Sequence, residues 1–140
     1  MKTSNERYAI DANVILRFLL NDDLALSQQA IAIFAAIERG EMTAFLDPVI
    51  LAEVVWVLNS FYKLPPAQIA AELLILVKSD QIILSDRDMY ISALELYAGG
   101  RLHFGDACAC AVAKRQCDGK LLSFDRKLDR IAGICRTETM

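Results

Sequence analysis

Three short apolar runs, Tyr8–Ile10, Thr43–Leu46 and Ile82–Leu84, are separated by long stretches of helical periodicity, and a fourth, Lys120–Phe124, follows another helical stretch. Short strands alternating with helices point to an α/β architecture with a largely parallel sheet. The first run is expected to be a buried strand. Helices are expected from about Asn13 to Leu20, stopping at the Asn21-Asp22-Asp23 turn, and from about Leu24 to Arg39, stopping at Gly40. In the second of these, Ile31, Phe34 and Ile37 form the expected apolar stripe.

Asp47-Pro48 starts a helix: Asp caps free N–H groups, and Pro in the first helical position loses no hydrogen bond. It should run to about Tyr62. Beyond Leu64-Pro65-Pro66 another helix ends near Ser79, with Ile69, Leu73, Leu76 and Val77 inward. Ser85-Asp86 opens a helix closed by Gly99-Gly100, Arg101 to Gly105 is a loop, and Asp106 begins the next helix. Asp118-Gly119 turns the chain into the fourth strand, after which a short helical turn leads to a last strand near Ile134. No repeat or interdomain linker interrupts the 140 residues, so one domain over 1–140 is expected, with a polar lead at 1–7.

Four acidic residues, Asp11, Glu53, Asp106 and Asp125, stand where their neighbours are apolar or small. An unpaired carboxylate is costly to bury, and four brought together repel one another unless a positive charge lies between them. Asp11 and Asp125 each follow a strand, and open parallel sheets place their ligand crevice at the carboxyl ends of strands. Glu53 is the only charge between Pro48 and Leu58, and its helical neighbours Val49, Ile50, Trp56 and Val57 make an apolar face. Each acid alone has a plain alternative: a turn or helix cap for Asp11, Asp106 and Asp125, and a structural ion pair for Glu53.

Carboxylates without histidine or thiolate partners make an oxygen-rich site, which suits Mg²⁺ or Mn²⁺ rather than Zn²⁺. The matching chemistry is metal-assisted phosphodiester hydrolysis. One histidine, His103, leaves no room for a Ser–His–Asp triad, and no phosphate-binding G-x-x-x-x-G-K-[ST] loop occurs. The four cysteines, Cys108, Cys110, Cys117 and Cys135, contain no C-x-x-C pair and are expected to be buried, reduced thiols.

The net charge of −3 hides an asymmetry: residues 1–98 carry 7 Lys+Arg against 13 Asp+Glu, and residues 99–140 carry 8 against 5. The basic final segment could hold phosphates around an acidic centre, and an ordinary solvated surface is the equally open alternative from charge alone. No apolar run approaches the ~20 residues of a membrane span and MKTSNER is no signal sequence, so a cytoplasmic protein is expected.

The segments YAIDANVILRFLL, LAEVVWVL, FGDACACAVAK and LLSFDRKL, in this order and spacing, resemble the PIN-domain nucleases, and within them the compact VapC-type toxins of toxin–antitoxin pairs. The resemblance implies a three-layer α/β/α sandwich and assigns the family's acidic quartet to Asp11, Glu53, Asp106 and Asp125. It puts Asn13 and Ser123 at polar positions that orient the acids or a water, where a helix cap and a strand-end hydroxyl are the local alternatives. Arg17, one turn after Asn13, could reach phosphate or pair with an acid. The resemblance further implies a Mg²⁺-dependent endoribonuclease, usually a homodimer, restrained by a cognate antitoxin. Apolar surface on residues 24–39 and 48–79 could serve both contacts. A DNA nuclease or phosphatase with the same metal site, and a metal-free binding module, stay open as alternatives.

Overall fold

In a computed structural model, which describes residues 5–139, the first strand is β1 (Glu6–Ala9), followed by helices α1 (Ala12–Leu20) and α2 (Leu24–Glu38). Of the polar lead, residues 1–4 lie outside the described residues, and Glu6 and Arg7 already belong to β1. Strand β2 (Met42–Leu46) leads into α3 (Pro48–Trp56), which continues as one π-helical segment, Val57–Phe61. Then come α4 (Pro66–Val77), β3 (Ile82–Leu84), α5 (Arg87–Tyr97), α6 (Phe104–Gln116) and β4 (Lys120–Leu122). A 3-10 helix, Arg126–Arg130, and β5 (Cys135–Thr137) complete the order.

Local chemistry accounts for most boundaries. Asn21 ends α1 in the left-handed conformation that Asn tolerates. The Asp23 carboxylate accepts from the Leu26 N–H at 3.1 Å and the Asp47 carboxylate from the Val49 N–H at 2.7 Å, so α2 and α3 both begin at an Asp cap. The expected stripe of α4 is buried at Ile69, Leu73, Leu76 and Val77. In α2, by contrast, Ile31 is exposed and Ser27, Ala30 and Ile37 face inward; α1 packs on α2, with the Ser27 hydroxyl donating to the Arg17 carbonyl and Phe18 stacked on Phe34.

All strand pairs are parallel. β2 lies between β1 and β3, with Tyr8 opposite Ala44 and Ala44 opposite Ile82. β4 and β5 form a separate two-stranded sheet, Leu121 opposite Arg136. Among the described residues six α-helices around the three-stranded parallel sheet make the α/β/α architecture, with a core built on Ile15, Leu51, Leu58, Ile69, Leu73, Ile82 and Leu94.

Two expectations about strands are corrected. The first strand is not buried: all four residues of β1 are exposed, because β1 is a sheet edge with β2 as its single partner among the described residues, and only the following Ile10 enters the core. The fourth strand ends at Leu122, two residues earlier than expected, because the chain turns at Ser123, whose hydroxyl accepts from the Asp125 N–H.

The small sheet leaves no room at its entrance. Gly119 has φ +81°, and a Cβ there would lie 2.0 Å from the Gly133 carbonyl oxygen. Gly119→Ala is therefore expected to destabilise the fold by about 1–3 kcal/mol, read as a lower denaturation midpoint, while Gly105→Ala, with nothing within 4 Å, sets the tolerated baseline.

The cysteines are also corrected. All four are free, but only Cys110 is buried; Cys108 is half-buried, and Cys117 and Cys135 are exposed because they sit at the end of α6 and on the outer strand of the small sheet. Burial pushes the Cys108 thiol up to about 11. At pH 8 an alkylating reagent is expected to label Cys117 and Cys135 quickly and Cys108 and Cys110 only on unfolding, which peptide mass mapping checks.

Candidate active site

Because β1, β2 and β3 run parallel, the residues that follow them emerge at one edge of the sheet: Asp11 after Ile10, Asp47 after Leu46, and Asp86 shortly after Leu84. The start of α6 reaches the same region. The Tyr90 phenol is raised by its burial and then by Cys108, Asp86 and Asp47 around it, which ties α5, α6 and the head of α3 together. Helix α3 packs on both α1 and α6.

Asp11 occupies the cap position of α1 with extended backbone, yet its carboxylate makes no cap bond. Glu53 stands in the middle of α3 and is exposed, which corrects the expectation that an apolar face shelters it. The face is apolar but lies open: Val49 is 73% and Trp56 66% exposed. No ion pair engages Glu53 among the described residues. Asp106 is the third residue of α6 rather than its cap, a position held by His103, and is half-buried. The N-terminal turn of a helix favours a negative charge there. Its field, after burial, helps raise the Cys110 thiol one turn on, against the opposing charge of Lys114.

Asp125 differs from the other three. One of its oxygens accepts from the Lys127 N–H at 3.0 Å, so the cap alternative is realised, and the residue is half-buried. The Ser123 hydroxyl accepts from the Asp125 N–H at 3.0 Å. Asn13 is the second residue of α1, exposed and not its cap. Arg17 pairs with Asp22, which the Tyr62 hydroxyl also meets at 3.0 Å, and the Arg17 guanidinium holds the Asp22 carboxyl below the usual range. Of the two roles open to Arg17, the structure shows the ion pair.

The four carboxylates offer oxygen donors of the kind a hard divalent cation takes, and three of them have no hydrogen bond or ion pair among the described residues. The spacing is not that of a closed cage. Among the described residues no three Asp, Glu, His or Cys side chains lie close enough to hold one ion. The fold delivers Asp11 at the cap of α1, Glu53 on α3 and Asp106 on α6, helices that pack in series, and Asp125 on the turn between β4 and the 3-10 helix.

Arg136 was not singled out by sequence. Its side chain is only 10% exposed and binds Asp129, Glu138 and the Ser123 carbonyl, but nothing in the chain order signals it, because the contact to Ser123 depends on the β4–β5 register.

The family model of the PIN domain matches residues 8–134, a span that holds all four acids. The chain belongs to the PIN domain family. PIN domains are generally metal-dependent nucleases, typically using divalent ions such as Mg²⁺, so this PIN domain is a hydrolase of the nuclease type with a nucleic acid as its substrate class. No curated protein matches the chain. Among the described residues of this PIN domain no helix is long and apolar enough to cross a membrane.

Proposed function

We propose that the chain is a Mg²⁺-dependent endoribonuclease, with Mn²⁺ able to substitute, acting in the cytoplasm as the toxin of a toxin–antitoxin pair. The observation that carries this reading is a PIN fold in which the carboxylates of Asp11, Glu53 and Asp106 have no cationic partner among the described residues. A divalent cation bound by such carboxylates supplies a water of lowered pKa and neutralises charge on the scissile phosphate. Asp11, Glu53, Asp106 and Asp125 are the proposed ligands. Exposed Asn13 and the Ser123 hydroxyl are proposed to orient water and the Asp125 segment.

The substrate side rests on the surface around Asp125. Phe124 is 84% exposed, and Arg126 and Lys127 follow it, giving a ring for base stacking and cations for phosphate. Single-stranded RNA loops present bases for such stacking. The partner side rests on apolar surface. A cavity of about 600 Å³ between α1, α2 and α4 is lined by Phe18, Phe34, Ile75 and Leu76 and edged by Glu38 and Glu72. It suits an amphipathic antitoxin segment carrying basic residues. Exposed Val49, Trp56 and Phe61 offer a second apolar face for a homodimer.

Purified protein incubated with total RNA and Mn²⁺ is expected to release discrete fragments, and EDTA to stop it. Stronger cleavage of duplex DNA, or RNA cleavage that ignores EDTA, would overturn the reading.

A further inference from the structure

We infer that Arg136 is the positioning residue for Asp125. This rests on the proposed role of Asp125 and adds a residue outside the span matched by the family model. One guanidinium pins the chain on both sides of Asp125. Nε and Nη2 donate to the two carboxylate oxygens of Asp129 at 2.8 and 3.2 Å, and Nη1 donates to the Ser123 carbonyl at 2.9 Å and to Glu138. Ser123 lies two residues before Asp125, and Asp129 four residues after it.

Between the two pins the chain is bonded to itself. The Asp125 N–H donates to the Ser123 hydroxyl, the Lys127 N–H to Asp125 Oδ1, and the Leu128 N–H to the Asp125 carbonyl at 3.1 Å. One Asp125 oxygen is thus used by the turn and the other is left available. Apolar packing gives little help, since Leu122 and Phe124 are both exposed and Leu128 is the one buried side chain of the segment. The direction of the Asp125 carboxylate therefore depends on the polar clamp. Lysine keeps the charge of Arg136 but has a point donor where four acceptor oxygens on three residues need a planar fork.

Arg136→Lys separates positioning from folding. Three quantities are compared with the natural sequence: amide exchange at Asp125, Lys127 and Leu128 by NMR, the half-saturating Mn²⁺ concentration by calorimetry, and kcat against KM for RNA cleavage. Exchange at the three amides is expected to accelerate about tenfold or more while that of core Leu73 is unchanged. Half-saturating Mn²⁺ is expected to rise, and kcat to fall, by about 10–100-fold, the range for groups that orient metal ligands, with KM little changed. Unchanged local exchange and an unchanged Mn²⁺ midpoint overturn the inference. So does a loss of melting temperature with the Mn²⁺ midpoint preserved, which marks a purely structural arginine. Should Arg136→Lys fail to fold, Asp129→Asn weakens the same fork from its more exposed side and is expected to shift the same quantities in the same direction by less. If the natural sequence neither binds Mn²⁺ nor cleaves RNA, the nuclease reading fails, while local exchange still decides whether Arg136 holds the Asp125 turn.

Discussion

Asp106→Ala and Asp11→Ala are each expected to lower RNA cleavage by more than about 100-fold, beyond the 10–100-fold typical of residues that only support a metal ligand. Stability should hardly move. Asp11 is exposed with an unengaged carboxylate, and Asp106 has no ion pair among the described residues, so each replacement is expected to stay within about 0.5 kcal/mol. Quenched time courses at saturating Mn²⁺ together with thermal melts give both quantities. A variant that melts normally and cleaves normally would remove that acid from the proposed site. Glu53→Ala belongs to the same class, because its carboxylate is exposed on α3. Asp125 requires Asn rather than Ala, so that an oxygen remains to accept from the Lys127 N–H. The separation of rate from stability distinguishes a catalytic set from a set of structural ion pairs, whose loss would lower the melting temperature first.

Leu73→Ala is the change expected to cost most stability, about 2–5 kcal/mol. Leu73 is completely buried on α4, in the core it shares with Ile69, Leu58 and Ile82, and removing its methyl groups leaves a cavity that the surrounding helices close only in part. Urea titration should show a lower midpoint with an unchanged slope. Ile75→Ala, two residues along the same helix, is the internal control: Ile75 is 78% exposed, so a change within about 0.5 kcal/mol is expected. Similar losses for the two would mean that α4 presents a different face to the core. Ile75 also lines the cavity proposed for the antitoxin, so its replacement is expected to weaken that contact without weakening the fold.

Much of the fold was legible in the chain because its signals are local. The Asp47-Pro48 start, the inward stripe of α4 and the Asn21 stop each depend on residues within one or two turns, and the structure has all of them. Ile31 shows the limit of periodicity. It repeats with Phe34 and Ile37, but which of these faces the core depends on where α1 packs on α2, so the exposed isoleucine was indistinguishable from a core one. β1 shows another limit, since a run of apolar residues does not say whether a second strand covers its outer edge.

The acids divide along the same line. Residue type and order determined that Asp11, Glu53, Asp106 and Asp125 lie within a span that matches the PIN domain and that carboxylates of this kind suit a hard cation, because ligand preference belongs to the side chain itself. Tertiary structure decided how each carboxylate is presented: Asp11 and Glu53 open to solvent, Asp106 inside the first turn of α6, and Asp125 on a turn held by Arg136. Burial depends on which faces meet, and the Arg136 clamp on the register of β4 against β5, so neither exists until the chain has packed.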